Sequence, residues 1–274
     1  MKQYENYSVL LTVYDKEKPE HFVTAIESIV NQTLKTNDFV IVADGPLTFE
    51  LDAILEQYIG KYPYINLIRL EKNKGSGYAS QQGLKHIKNE VLAKMDSDDI
   101  SVLDRMEKEL AKINEGYDVV GGAIAEFSSD PNKIEGIKRL PQKLEDIIKF
   151  SRRRNPIANV TVMYKKSMIE QVGGYQDLVM LEDYTLAIKL IQSGAKVINL
   201  QEVMVNVRSG REQMIRRSNK MLYKNMKDLR KYMLDTKYIT KSQYFCYNFQ
   251  TWIFLSTPPF MKKILYKAFL RKKK

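Results

Sequence analysis

The chain has 274 residues, 44% of them hydrophobic and 10% aromatic, with one cysteine and a formal net charge of +11. That apolar content over that length can bury a sizeable core and excludes a disordered tail, and the lone Cys246 excludes an intramolecular disulfide and a multi-cysteine zinc site, so a cytoplasmic setting is expected. The charge is unevenly placed: residues 1–215 hold 28 basic and 31 acidic side chains, a net of −3, while residues 216–274 hold 16 and 2, a net of +14.

Five apolar, β-branched runs read as strands: 7–14 (YSVLLTVY), 38–44 (DFVIVAD), 65–70 (INLIRL), 91–96 (VLAKMD) and 117–127 (YDVVGGAIAEF). Helical spacing fills the gaps at 20–31, 49–60, 76–88 and 102–113, with Pro19 early enough for a first helical turn. Strand and helix in regular succession predict a mostly parallel sheet covered on both faces. Such sheets bind ligands at the carboxyl ends of their strands. The polar clusters of the first half fall there: TVYDK, ADGP, EKNKGSGYAS and MDSDD follow the first four strands in turn. No run approaches the roughly 20 apolar residues needed to cross a bilayer, and the N-terminal apolar segment is too short for a signal peptide.

Chemistry concentrates in the stretch AKMDSDDIS, where Asp96 ends the fourth strand and Asp98 follows two residues on, so both carboxylates project into one crevice. Adjacent unpaired acids raise each other's pKa and are costly unless a cation neutralises them. One or two carboxylates suit Mg²⁺ or Mn²⁺ bridging a diphosphate. The plain alternative is that Asp98 or Asp99 caps the next helix, with Ser101 a further candidate cap. The loop NKGSGYASQQG lacks both the Gly-x-Gly-x-x-Gly spacing and a P-loop ending, so its glycines indicate only a tight turn and close backbone approach. Asp44 and Gly45 end a buried strand, where turn chemistry alone would account for the pair. Further on, LEDYTLAIKLIQSG places Leu186, Ile188, Leu190 and Ile191 on an amphipathic helix closed by Gly194. Glu182 and Asp183 stand in its first turn, a common place for acids.

Taken together and in order, SVLLTVYDKEKPEHFVTAIESIVNQT, ADG, NKGSGYASQQGL, AKMDSDDIS with VLDRMEKE, NPIANVTVMYKKSMIEQVGGY and LEDYTLAIKLIQSG resemble glycosyltransferase family 2, the inverting transferases of GT-A fold, over residues 7–210. Within that family the chain is similar to bacterial transferases that build capsule, exopolysaccharide or lipopolysaccharide repeat units. The resemblance implies a nucleotide-diphosphate-sugar donor, Mn²⁺ or Mg²⁺, and a glycan or lipid-linked acceptor. It implies that Thr12, Val13 and Tyr14 with Asp44 hold the base, and that Gly75 and the residues after it line the ribose and sugar. It further implies that Asp96 contacts the ribose or metal, that Asp98 ligates the metal, and that Asp183 is the catalytic base, with Glu182 the next candidate. Two positions depart from the pattern: Asn159 stands where relatives often carry His, and Gln81 where they often carry Arg.

The expected architecture is an α/β GT-A domain over 1–210, Rossmann-like with flanking helices, followed over 211–274 by a flap and a basic, aromatic-rich helical appendage. Arg208, Arg211, Arg216 and Arg217 are cations suited to a diphosphate, Arg211 and Arg217 being placed on the donor; the alternative is that they begin a solvated tail. The tail interleaves cations with Tyr244, Phe245, Tyr247, Phe249, Trp252, Phe254 and Phe260, then sets Ile264, Leu265, Phe269 and Leu270 at helical spacing. Pro258 and Pro259 break its apolar run, so it is expected to lie on an anionic membrane surface and not to span it. The expected location is therefore peripheral, on the inner face of the cell membrane. Nucleic acid is not an expected partner. Two rivals stand beside this reading. A sugar nucleotidyltransferase would need a basic triphosphate loop where TVYDKEKPE is mixed in charge. A nucleic-acid-binding protein gripping through the tail would not hydrolyse a sugar nucleotide.

Overall fold

The structure, a computed structural model, describes residues 2–175, 181–209 and 220–257. The chain forms two units, one of Met1–Asp177 and Glu182–Arg208, the other of Leu178–Leu181 and Ser209–Lys274.

In the first unit, β1 (Ser8–Val13), β2 (Asp38–Ala43), β3 (Ile65–Arg69) and β4 (Val91–Asp96) pair in the order β3-β2-β1-β4, all parallel. Nearly every residue of β1, β2 and β4 is buried, which is why they read as unbroken apolar runs and not as alternating ones. The crossovers are α1 (Pro19–Val30), α2 (Phe49–Lys61) and α3 (Ser76–Leu84). Pro19 is the first residue of α1, and Thr48 caps α2 by accepting the Leu51 amide at 3.3 Å. Helix α3 stops four residues short of the predicted 88, because the Lys85 and His86 amides turn back to the Gln82 and Gly83 carbonyls.

Regular alternation ends after β4. The short β5 (Ile100–Ser101) leads into α4 (Arg105–Asn114), then β6 (Val119–Phe127) and β7 (Gly136–Lys138), then α5 (Leu144–Ser151). A single 3₁₀ turn, Asn159–Thr161, precedes β8 (Met163–Lys165), α6 (Lys166–Gln171), α7 (Glu182–Gln192) and β9 (Val197–Arg208). The run predicted as a fifth strand, β6, does not join β4 directly. β8 lies antiparallel between them, β9 runs parallel to β6, and β5 folds back antiparallel on β9.

The helix after the acid cluster starts at Arg105, with Asp104 preceding it, so the cap suggested for Asp98, Asp99 or Ser101 is corrected: β5 and a turn intervene. Arg105 instead enters the core. Its Nε bonds both oxygens of Glu109 (3.0 and 3.1 Å) and its Nη2 donates to the Lys94 carbonyl (2.9 Å), which anchors the last turn of chain in β4. In the second unit, α8 (Lys220–Asp235) and α9 (Lys241–Ser256) are joined by a turn at Lys237. No described helix is long and apolar enough to cross a membrane.

Candidate active site

Strand register brings the first set of expected residues together. Thr12 sits opposite both Val42 and Asp96, and Val13 opposite Ala43, so the carboxyl ends of β1, β2 and β4 form one rim. Thr12 and Tyr14 are partly exposed there, whereas the Val13 side chain lies in the core and its carbonyl accepts the Asp44 amide at 2.8 Å. Contact through Val13 is thus limited to its main chain. Asp44 is buried, and its two oxygens accept the amides of Lys74 (2.9 Å) and Gly75 (2.8 Å), so this carboxylate shapes the loop that leads into α3. Beside it Gly45 has φ +93°, and a Cβ there would meet the Asn73 nitrogen at 2.7 Å, a close backbone approach that only glycine allows.

The acid cluster has partners that its sequence context hides. Lys94, buried in the sheet, places Nζ 3.7 Å from Asp96 Oδ1 and donates to the Met95 carbonyl at 3.2 Å. Burial lowers the Lys94 pKa, and Asp96 and Glu182 oppose that shift. Asp96 is therefore not the unpaired acid that local sequence suggests. Arg208, at the end of β9, donates its amide to Asp99 Oδ1 (2.8 Å) and its Nε to the Asp98 carbonyl (3.2 Å), with its guanidinium over the Phe127 ring. Burial, then the charges of Asp96 and Glu17, push the Asp98 carboxyl up to about 7 despite Arg208. Burial and the neighbouring acids raise Asp99 as well.

Among the described residues no three His, Cys, Asp or Glu side chains gather closely enough to hold a metal ion by themselves. A divalent cation still fits the donor set. Asp98 is a half-buried carboxylate beside Asp96 whose ionised form Arg208 compensates only in part, and an ion held by one or two acids takes its remaining ligands from phosphate and water.

Asp183 and Glu182 open α7. The Asp183 oxygens accept Asn155 Nδ2 (2.8 Å) and the Tyr184 amide (2.7 Å), and Asn155 is itself oriented because its Oδ1 accepts the Ile157 amide at 3.2 Å. Burial first, then Glu182 and Asp96, push Asp183 up to about 7. Glu182 Oε1 accepts the Ser76 hydroxyl, while its buried Oε2 has no partner. The Tyr175 hydroxyl, also buried, lies beside that of Tyr164; burial raises its pKa, the Tyr164 hydroxyl opposes the shift, and Asp183 and Asp96 add to it.

The two departures occupy this region. Gln81 Oε1 accepts the Tyr175 amide at 2.7 Å, and Gly174, at φ +73°, lies so close that a Cβ would stand 2.1 Å from that oxygen. Helix α3 is therefore tied at Ser76 to Glu182 and at Gln81 to the turn after α6. Asn159 begins the 3₁₀ turn with a buried, unpartnered Oδ1. Arg211, Arg216 and Arg217 lie outside the described residues. Sequence reasoning missed Lys94, Glu17, Ser76 and Asn155. The one available signal was a lysine inside an otherwise apolar strand, and the other three contacts span 28 to 106 residues of chain.

Residues 8–173 match the family described as "Glycosyl transferase family 2". The chain is 38% identical over 213 residues to an uncharacterized glycosyltransferase of Haemophilus influenzae, covering 77% of this chain and 79% of that one. It is 36% identical, with the same coverage, to the amylovoran biosynthesis glycosyltransferase AmsE of Erwinia amylovora. It is 33% identical, with 77% of each chain covered, to the UDP-Gal:alpha-D-GlcNAc-diphosphoundecaprenol beta-1,3-galactosyltransferase of Escherichia coli. Among solved structures, S. aureus TarS 1–349 in complex with UDP-GlcNAc superposes at TM-score 0.65 and 18% identity, over 82% of this chain and 65% of that one. The mannosyltransferase PcManGT of Pyrobaculum calidifontis, in complex with GDP-Man and Mn²⁺, does so at 0.63 and 14%, over 96% and 68%. These likenesses carry the GT-A fold.

Proposed function

The chain belongs to glycosyltransferase family 2, and we propose that it transfers a sugar, with inversion, from a nucleotide-diphosphate donor to a hydroxyl of a lipid-linked glycan at the inner face of the cell membrane, in surface-polysaccharide synthesis. The observation that carries the reading is Asp183: a carboxylate fixed by Asn155 and the Tyr184 amide, held at a pKa of about 7, and close enough to Asp96 to feel its charge.

Each part of the site has work to do in such a reaction. Thr12, Tyr14 and the Asp44-organised loop form a rim for the nucleotide, and Gly75 places the start of α3, with no side chain capping it, beside that rim. Anionic groups are favoured at a helix N-terminus. Asp98 and Asp96 would hold the divalent ion, which when bound supplies Lewis-acid neutralisation of the diphosphate charge. Inverting transfer is one displacement: the acceptor oxygen bonds to the anomeric carbon as the bond to the diphosphate breaks, and the acceptor proton passes to Asp183. A base whose pKa lies near neutrality combines availability with proton affinity. Asn155 and the Tyr184 amide each occupy one site on the two oxygens of Asp183 and leave lone pairs for that proton. The lipid-linked acceptor is taken from the relative whose name specifies a diphosphoundecaprenol-linked substrate.

The test is release of nucleoside diphosphate from a panel of UDP-, GDP- and dTDP-sugars, with Mn²⁺ or Mg²⁺, in the presence and absence of polyprenyl-diphosphate-linked sugars. At least one donor should show acceptor-stimulated release that a chelator removes. No stimulated release with any pair overturns the proposal.

A further inference from the structure

Helix α9 exposes most of its large apolar side chains. A capping box fixes its start: Thr240 Oγ1 accepts the Gln243 amide at 3.2 Å, and Gln243 Oε1 accepts the Thr240 amide at 3.0 Å. The side it turns to α8 is mixed, with Tyr247 and Asn248 both buried. Buried Arg230 of α8 donates Nη1 to the Tyr247 carbonyl (2.9 Å), Asn248 Oδ1 (3.2 Å) and Thr251 Oγ1 (2.8 Å). The side it turns outward is apolar: Phe245 is 70% exposed, Phe249 59%, Trp252 52% and Ile253 46%. These positions are spaced i, i+4, i+7 and i+8, one face of a helix, and the Phe249 and Trp252 rings stack at 5.9 Å. Contiguous exposed apolar patches mark sites of interaction, unlike apolar residues scattered singly.

Composition and charge say what the face meets. It is mostly aromatic and includes the chain's one tryptophan, the residue type that favours the boundary between water and lipid. Besides the buried Arg230, residues 221–257 carry Lys224, Lys227, Lys231, Lys237 and Lys241 against only Asp228 and Asp235, and the sequence after Met261 adds seven cations and no acid. That excess complements acidic lipid headgroups. No described helix can cross a bilayer, so α9 would lie along its surface.

We infer that Phe245, Phe249, Trp252 and Ile253 form a docking face that enters the headgroup layer of an anionic membrane while the neighbouring lysines meet lipid phosphates. Its purpose rests on the reading of a lipid-linked acceptor; the docking itself needs neither donor nor acceptor.

The experiment uses the full chain with phosphatidylglycerol–phosphatidylcholine vesicles and with phosphatidylcholine vesicles alone. Wild type should float with the anionic vesicles only, and the emission of Trp252, as sole tryptophan, should shift to the blue when they are added. The triple variant Phe245→Ser, Phe249→Ser, Trp252→Ser should bind at least tenfold more weakly while keeping its melting temperature and its donor-induced thermal shift; if it does not fold, Phe249→Ser alone should weaken flotation and reduce the blue shift. Absence of both flotation and blue shift in wild type overturns the inference, as does equal flotation by a folded variant. A blue shift that needs no lipid, follows protein concentration and accompanies a dimer would assign the face to a second copy of the chain and likewise overturn it. Wild type that neither floats nor shifts its emission, yet still transfers to a short, soluble acceptor, would refute the docking face and leave the proposed reaction standing.

Discussion

At the strand ends of the first unit, charged side chains are drawn inward and held by distant partners, whereas α9 of the second unit turns most of its aromatic rings out. Asp183 lies between Asn155 and its own helix N-terminus, and Asp44 clasps two loop amides. Trp252 and Phe249 stack on each other and stay more than half exposed. Burying a carboxylate without full compensation costs stability, and so does leaving aromatic surface wet. Each region carries a cost that folding alone does not recover, and the costs have opposite sign in polarity. The first suits a small, charged ligand that completes the electrostatics; the second suits a broad apolar boundary.

The sharpest way to break the comparison is at the base. Asp183→Asn keeps the side chain's size but has one acceptor oxygen for the two donors Asn155 and the Tyr184 amide and cannot take the acceptor proton, so transfer should fall about 10²–10⁴-fold with donor binding retained. Single-turnover kinetics and calorimetry read the two quantities separately, and near-normal turnover would move the base to Glu182. Next in size, Asp98→Ala should abolish the metal-dependent part of nucleotide binding, measured as the loss of any Mn²⁺-promoted thermal shift. Its fold should survive, for a reason that has a sign. Because the folded-state pKa of Asp98 is raised to about 7 from the usual carboxylate value, its ionised form is the costly one, and stability is lost as pH rises through about 7. Without metal the variant should then melt no lower than wild type at pH 8, and a large drop there would recast Asp98 as a structural residue.

The pH profile sharpens the same contrast. With Asp183 at about 7, the transfer rate should decline about tenfold per pH unit below that value as the base becomes protonated. A profile flat down to pH 5 would place the controlling ionisation elsewhere. A smaller effect is expected at Gln81, which holds the turn after α6. Gln81→Leu should lower kcat about tenfold, the scale of lost positioning, with donor KM unchanged. Gln81→Glu keeps an acceptor for the Tyr175 amide and should restore most of the rate. Equal loss in both variants would show that the amide contact is not what matters. Smallest of all, the triple α9 variant should leave kcat on a soluble acceptor unchanged, since a docking face has no part in the chemistry.

Much of the first unit was legible because its strands bury both faces and its helices follow a short period. The limits of β4 came out at 91–96 as predicted, and α7 began at Glu182. The candidate site was legible only where a residue's role depends on its place at a strand or helix end, as with Asp44, Asp96 and Asp183. The break in regular alternation after β4 was not, because β8 is three residues long and gains its place only by pairing with β4 and β6. Nor could α9 be turned the right way from its sequence, in which apolar and polar residues share both candidate faces. The position of Arg230, eighteen residues before Asn248, decides which face is inward.

Apolar periodicity and the chemistry of turns are local, and from them the sequence by itself determined the parallel half of the sheet, the crossovers and the placement of acids at strand ends. Partners for those acids are not local. Arg208 reaches Asp98 across 110 residues, Ser76 reaches Glu182 across 106 and Gln81 reaches Tyr175 across 94. A charge's pKa and orientation depend on what surrounds it within a few ångströms, whatever the chain distance, so only the tertiary structure decided that Asp96 has a lysine beside it, that Asp98 and Asp183 are held near 7, and that α3 is fastened to Glu182 and to Tyr175.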